Sequence, residues 1–407
     1  MHIARRNRKS ILQHPLRVAF FSGTMRRGQD GVTRVLYRTI DALRDQGIAS
    51  IFFSPIIPEA EDAAADMRTV PSIAFPWYPD YRIALPGYRA FESDLRQFRP
   101  DLLHIHSPCP LGYAAILWGK RNNVPVVATY HTHFASYAKY YKIKALEVFG
   151  WNYLRSLYHS CQRVYVPSIP ILHELATRGL EHLAFMPHGV DAKSFSPRHR
   201  SRQWRNGVVP DGKKVLLYAG RLVWEKDLQT LIEMYDLLKT QRSDWTLLLA
   251  GDGPVRAELA SAMPRAKFLG SLSGRALSAA YASSDILVFP STTETFGNVV
   301  VEAMASGLPP ICAAEGGAGG SIQHGINGFI TSPRDPSDIA RHVGLLLDDP
   351  ARLLRMGRAA RAYARTQTWE GIFDRLFADY RSVVAEYVPA RLRGKKRKVA
   401  RVSRPRG

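Results

Sequence analysis

ILVFPSTTETFGNVVVEAM, residues 286–304, runs from a short apolar stretch into a polar loop and then into a second apolar stretch of different texture. Ile286–Phe289 has the length and unbroken apolarity of a strand buried on both faces, as strands of a parallel sheet are. Glu294 stands in the loop that follows. Glu302 comes about two turns into the next element, after Gly297, Asn298 and Val299, so both carboxylates can face one cleft with backbone N–H groups between them. They suit sugar hydroxyls, or else they face solvent. Glu302 is flanked by Val299, Val300, Val301, Ala303 and Met304, and a carboxylate in such surroundings requires a partner.

The same strand-then-helix texture recurs in both directions. Val18–Phe21, Ile51–Ser54, Leu102–His106, Val124–Tyr130 and Val164–Pro167 read as buried strands in the first half of the chain. Val215–Tyr218, Trp245–Ala250, Ala266–Leu269 and Pro310–Ala313 read so in the second. Amphipathic stretches separate them, which predicts an α/β protein with parallel sheets and crossover helices. At 407 residues the chain exceeds what one core usually organises, so two domains are expected. SFSPRHRSRQWRNGVVPDG, Ser194 to Gly212, interrupts the alternation with Arg, Ser, Pro and Gly, as a linker does. Trp369–Tyr387 places Ile372, Phe373, Leu376, Phe377, Tyr380 and Val384 at helical spacing, a long amphipathic helix that must pack on something. The expected divisions are a basic extension 1–16, a Rossmann-like domain 17–192, a linker 193–213, a second Rossmann-like domain 214–370, a terminal helix 371–389 and a basic tail 390–407.

Composition narrows the classes. No stretch approaches the ~18 uncharged apolar residues of a membrane-spanning helix, and Ile11–Arg17, interrupted by His14 and Pro15, is too short for a secretory leader, so a cytoplasmic location is expected. Cys109, Cys161 and Cys312 are odd in number and far apart, which argues for reduced thiols. The formal charge is +21, and much of it sits in the tails: nine Lys/Arg in 391–407 and four in 1–10. Such tails bind anionic lipid, bind nucleic acid, or stay solvated.

Candidate chemistry concentrates after strands. Gly28, Gln29, Asp30 and Gly31 lead into a helical pattern, where free N–H groups and a positive dipole end suit a phosphate, although an ordinary turn looks the same. There is no G-x-G-x-x-G fingerprint and no G-x-x-x-x-G-K-[ST] loop. In AGRLVWEKD, Ala219–Asp227, the cations Arg221 and Lys226 follow a strand, where open α/β sheets bind ligands; they neutralise a diphosphate or form surface salt bridges. LAGDGP, Leu249–Pro254, repeats the glycine turn after a strand.

AGRLVWEKD, LAGDGP and PSTTETFGNVVVEAMASGLPPICAAEGG together resemble the blocks of the retaining glycosyltransferases of family 4, which have the GT-B fold of two Rossmann-like domains facing across a deep cleft. PDLLHIHSP, VPVVATYHTHFASYAKYY and MPHGVDAKSFSPRHRS resemble the branch with phosphatidylinositol mannosyltransferases and sulfoquinovosyl-diacylglycerol synthase. The likeness runs from about Val18 to Tyr387. It implies a nucleotide-sugar donor, UDP- or GDP-linked, and a final helix crossing back to the first domain. Arg221 and Lys226 would meet the diphosphate, Glu302 the ribose and Glu294 the transferred hexose. Gly297, Asn298 and Val299 would approach through backbone N–H groups, with Gly31 closing from the other domain, Leu272 beside the base, and Gly220, Gly251 and Phe296 completing the donor site. His131 matches a histidine at the reaction centre, while His104, His106 and His133 read more readily as structural. No Asp-x-Asp occurs, so neither a metal nor another cofactor is expected. Gly317-Ala318-Gly319-Gly320 and the second proline of Leu308-Pro309-Pro310 depart from the family pattern without touching these positions.

Between Phe134 and Tyr158, seven further aromatics mix with Lys139, Lys142, Lys144 and Arg155. That mixture suits the headgroup layer of an anionic membrane, or a helix packed on its own sheet. The membrane reading predicts a peripheral enzyme acting on a lipid-linked or glycan acceptor at the inner face of the cell membrane. Two other classes compete: a nucleotide-sugar epimerase, which would lack this arrangement of cations and glutamates, and a nucleic-acid-binding protein, which would explain the charge but not the glutamate pair.

Overall fold

Strand β1 (Arg17–Phe21) sends Val18 and Phe20 to one face and Ala19 and Phe21 to the other, and all four are buried. β2 (Ala49–Ser54) repeats the arrangement: Phe52 stacks on Phe20, with ring centroids 4.6 Å apart, while Phe53 stacks on Phe21 at 5.1 Å. Burial on two faces is why these strands read as continuous apolar runs. The computed structural model describes residues 14–26, 31–58, 65–75, 78–85, 87, 89–131, 144–209 and 212–387.

With β3 (Asp66–Thr69), β6 (Leu102–Ile105), β7 (Val126–Thr129), β8 (Arg163–Val166) and β9 (Leu183–Phe185), these strands form a seven-stranded parallel sheet in the order β3-β2-β1-β6-β7-β8-β9. β4 (Ser72–Phe75) and β5 (Tyr78–Ala84) make a separate antiparallel pair. A second parallel sheet joins β10 (Lys214–Ala219), β11 (Trp245–Ala250), β12 (Lys267–Gly270), β13 (Ile286–Phe289), β14 (Pro310–Ala313) and β15 (Phe329–Thr331) in the order β12-β11-β10-β13-β14-β15. Each order reverses once, between β1 and β6 and between β10 and β13. Ligands of open α/β sheets bind at the carboxyl ends of the strands flanking that reversal.

Part of the segment expected as a linker carries secondary structure of its own. Pro197–His199 forms a 3-10 turn and Arg202–Val208 a helix whose Arg205 donates to Asp285 at 2.7 Å and to the carbonyls of Ser283 and Lys213. The Asp285 carboxylate also accepts from Val215 N at 2.8 Å, which locks this segment onto the start of β10. The helix Trp369–Glu386 leaves the second sheet and packs Phe373, Leu376, Phe377, Tyr380 and Val383 against Val18, Phe20, Phe52, Val127 and Tyr165 of the first. The two-domain α/β architecture with a returning helix is the GT-B fold.

Cys161 and Cys312 are buried and Cys109 is partly exposed; all three thiols are free. Of the aromatic and cationic stretch, 134–143 lies outside the described residues, as do the two tails and residues 27–30 of the glycine loop. The helix Lys144–Tyr158 divides: Trp151, Leu154, Leu157 and Tyr158 are core, whereas Val148 and Phe149 are 62% and 69% exposed. No described helix is long and apolar enough to cross a membrane.

Candidate active site

Two glycine loops meet at the carboxyl ends of β10 and β11. A Cβ on Gly251 would lie 1.8 Å from the carbonyl oxygen of Gly220, and one on Gly253 would lie 2.2 Å from that of Leu222. Leu222 N donates to the Asp252 carbonyl at 2.9 Å. Gly251 is therefore fixed by backbone-to-backbone contact, whatever its part toward a ligand. The loop it supports carries both candidate cations. Arg221 is 60% exposed and only loosely paired with Glu225, at 3.6 Å. Lys226 is buried, and its ammonium donates to Glu294 Oε1 at 2.6 Å. Both cations therefore have a carboxylate partner, a close one for buried Lys226 and a distant one for Arg221, whose side chain is largely exposed.

Beyond Glu294, Gly297 (φ 81°) turns the chain into the helix Asn298–Ala305. This N-terminus faces that of the helix Gly31–Asp45 from the other domain, since a Cβ on Gly31 would stand 3.3 Å from Asn298 Nδ2. Two helix N-termini aimed at one gap make a pole favourable to anions. Glu302, one turn further in, is buried and carries the partner its surroundings demand: Arg34 Nη1 donates to Oε1 at 2.9 Å and the Tyr281 hydroxyl donates to Oε2 at 3.1 Å. Burial raises the Glu302 pKa, and these two donors offset part of the rise. Beside it opens a cavity of about 690 Å³ lined from both domains, including Arg34, Arg38, Lys193, Leu272, Asn298 and Glu302.

On the first domain's side, four imidazoles form a row. His104 and His106 lie on the same face at the end of β6, with ring centroids 4.0 Å apart. His106 Nδ1 is 2.7 Å from His131 Nε2, and His188 Nδ1 is 3.0 Å from Asn298 Oδ1. Burial holds His104, His106 and His131 well below the ordinary imidazole range and lowers His188 to about 4. His104 is held by Tyr380 of the returning helix and by Thr129. The His131 carbonyl accepts from Thr295 Oγ1 at 2.8 Å, which sets His131 against the loop bearing Glu294.

Leu272, Asn298 and Glu302 line the cavity, while Lys226, Glu294 and His131 converge outside it along the carboxyl edges of β7, β10 and β13. Phe296 is buried with its ring 4.7 Å from that of His188, and Val299 packs against the core. His133 lies outside the described residues. Sequence reasoning missed Arg34, Tyr281 and His188, and also Asp227, Thr292 and Arg334 beneath Lys226 and Glu294. His188 and Asp227 stand inside recognisable segments; Arg34 and Tyr281 reach Glu302 from 268 and 21 residues away with no local signal. Among the described residues no group of three or more His, Cys, Asp or Glu has the geometry to hold a metal ion.

Two facing Rossmann-like domains and a cleft lined by both are the architecture of a GT-B protein, and a Lys–Glu pair beside opposed helix N-termini suits a glycosyltransferase. Comparison with known proteins agrees. Residues 29–194 match the model for Glycosyltransferase Family 4, and residues 200–363 match that for Glycosyl transferases group 1. The chain is 30% identical over 396 residues, 95% of its length and 94% of the relative's, to a GDP-mannose-dependent alpha-mannosyltransferase of Corynebacterium glutamicum. It is 35% identical over 317 residues to the sulfoquinovosyl transferase SQD2 of Arabidopsis thaliana, covering 74% of this chain and 61% of that one. Among solved structures, sucrose-phosphate synthase from Thermosynechococcus elongatus superposes with a TM-score of 0.75 over 91% of this chain and 99% of that one, at 21% identity, which shows the shared fold. The chain belongs to family 4 of the glycosyltransferases and is a nucleotide-sugar-dependent enzyme of the GT-B kind.

Proposed function

We propose that the enzyme moves a hexose, with retention at the anomeric carbon, from a nucleoside diphosphate donor to a lipid-linked or glycan acceptor at the cytoplasmic face of the membrane. The observation that carries the reading is the pair of buried Lys226 and half-buried Glu294 beside opposed helix N-termini at Gly31 and Asn298. Departure of the nucleoside diphosphate builds negative charge, and preformed cations and helix N-termini stabilise that charge most in the transition state. Arg221 and Lys226 meet the diphosphate, with backbone N–H groups of Gly297, Asn298 and Val299. Glu294 receives the hexose hydroxyls, Glu302 the ribose, and Leu272 the base. His131 faces the reacting centre. The leaving-group charge falls to these residues without a metal ion, so chelator leaves the rate unchanged.

Mannose from GDP-mannose is the first donor to test, because the Corynebacterium glutamicum relative and two mycobacterial ones are described as using it. The decisive assay incubates the purified protein with a panel of UDP-, GDP- and ADP-sugars and a lipid extract, and scores nucleoside diphosphate release. Silence across the panel with an intact fold refutes the reading. Exposed Val148 and Phe149, within the aromatic and cationic segment, support membrane contact. Flotation at low salt with anionic but not neutral liposomes is expected; equal recovery with both removes the membrane from the proposal.

A further inference from the structure

Arg334 lies in the turn between β15 and the helix Pro336–Asp348 with φ at 56°, a region that disfavours any residue with a Cβ. Of the five non-glycine residues with positive φ among those described, one other, Asp227 (φ 54°), is its ion-pair partner. The Arg334 guanidinium makes three contacts in three loops: Nε donates to Asp227 Oδ1 at 3.1 Å, Nη1 to Glu315 Oε2 at 3.1 Å and Nη2 to Thr292 Oγ1 at 2.9 Å. Buried Asp227 in turn accepts from Thr292 N at 2.8 Å and from Thr292 Oγ1 at 2.7 Å. The threonine hydroxyl therefore donates to Asp227 while accepting from Arg334.

Each tied loop bears on one pair. Asp227 directly follows Lys226. Thr292 stands two residues before Glu294, and Thr293 Oγ1 donates to the Glu225 carbonyl at 2.9 Å. Glu315 precedes Gly316 and Gly317; Gly317 N donates to the Glu294 carbonyl at 2.6 Å, and a Cβ on Gly316 would stand 2.6 Å from the Thr292 carbonyl. Backbone strain at two ion-paired residues persists only where the surroundings over-determine it, and such sites gather where geometry serves function.

We infer that Arg334 is a positioning residue for sugar transfer, clamping the loops that set Lys226 against Glu294. The inference rests on the functional reading above for its catalytic consequence, though not for the clamp. Without the guanidinium, Asp227 is a buried carboxylate lacking its counter-charge, and it competes with Glu294 for the neighbouring ammonium of Lys226.

The test uses Arg334→Gly, which relieves the backbone while deleting the clamp, and Arg334→Lys, which keeps charge without the fork. Arg334→Gly is expected to melt within a few degrees of the unmodified protein, to lose about tenfold or more in kcat with a smaller change in donor KM, and to regain rate severalfold with added methylguanidinium. Arg334→Lys falls between. Acylation of Lys226, followed by mass spectrometry, is expected to quicken severalfold in Arg334→Gly. Unchanged kcat and labelling overturn the inference, as does a rate loss that merely tracks a fall in melting temperature. If the unmodified protein transfers no sugar, the functional reading fails, and the labelling rate alone decides whether Arg334 holds Lys226.

Discussion

Lowering the pH should unfold this enzyme through its histidine row before most carboxylates titrate. His188 is the clearest case, with its pKa lowered from 6.5 to about 4 by burial. The unfolded chain takes up this proton as pH falls through 6.5, whereas the folded chain refuses it until about 4. The folded state then binds fewer protons, so stability is complete above 6.5 and is lost between 6.5 and 4. At 1.36 kcal/mol per pKa unit, the loss approaches ~3 kcal/mol below that window and is about 2 kcal/mol at pH 5 relative to pH 8. His104, His106 and His131 shift in the same direction for the same reason, so their losses add to it, limited by their mutual contact. Glu302, whose pKa is raised, acts oppositely and blunts the effect near its own titration. Urea unfolding followed by tryptophan fluorescence at steps from pH 8 to pH 5 measures the slope. His188→Asn should flatten it by close to one proton in this window. A slope below one proton between pH 6 and pH 5, or no change in the variant, would refute the argument that these imidazoles are buried neutral.

Other outcomes follow from the same geometry. Lys226→Ala and Arg221→Ala should each cost about 2 to 4 kcal/mol of transition-state stabilisation, read as a fall in kcat/KM, with Arg221→Ala leaving the melting temperature unchanged because its side chain is exposed. Glu302→Gln should weaken nucleoside diphosphate binding in a calorimetric titration while Glu294→Gln chiefly lowers turnover with the intact sugar donor; identical profiles would undo the division of labour between them. Gly251→Ala should destabilise the fold by at least ~2 kcal/mol in urea, since its Cβ would lie 1.8 Å from the Gly220 carbonyl oxygen.

The central strands were legible because burial on both faces leaves unbroken apolar runs, as in Val215–Tyr218 and Ile286–Phe289. Three of the four edge strands of the parallel sheets were not: β3 is DMRT with mostly exposed side chains, while β9 and β15 are three residues each. The segment 193–213 looked like a connector because its Arg- and Ser-rich composition is polar; the reason it folds is Asp285, some 80 residues away, which accepts Arg205. Glu294 and Glu302 could be singled out from their loop and helix setting and from the family resemblance. Their partners could not, because spacing along a chain carries no information about which side chain arrives from another sheet.

Local pattern alone thus determined the parallel α/β class, the division into two Rossmann-like halves, the long amphipathic final helix and the segments that bear the chemistry, while the return of that helix to the first domain came from the family resemblance. Each depends on a residue's immediate neighbours and on the period with which apolar side chains recur. The tertiary structure alone decided that Glu302 meets Arg34 across the cleft, that Lys226 pairs with Glu294 while Arg221 stays exposed, and that Arg334 closes on Asp227. Those pairings are fixed by strand order and by the docking of one domain on the other, which bring together side chains 68 to 268 residues apart.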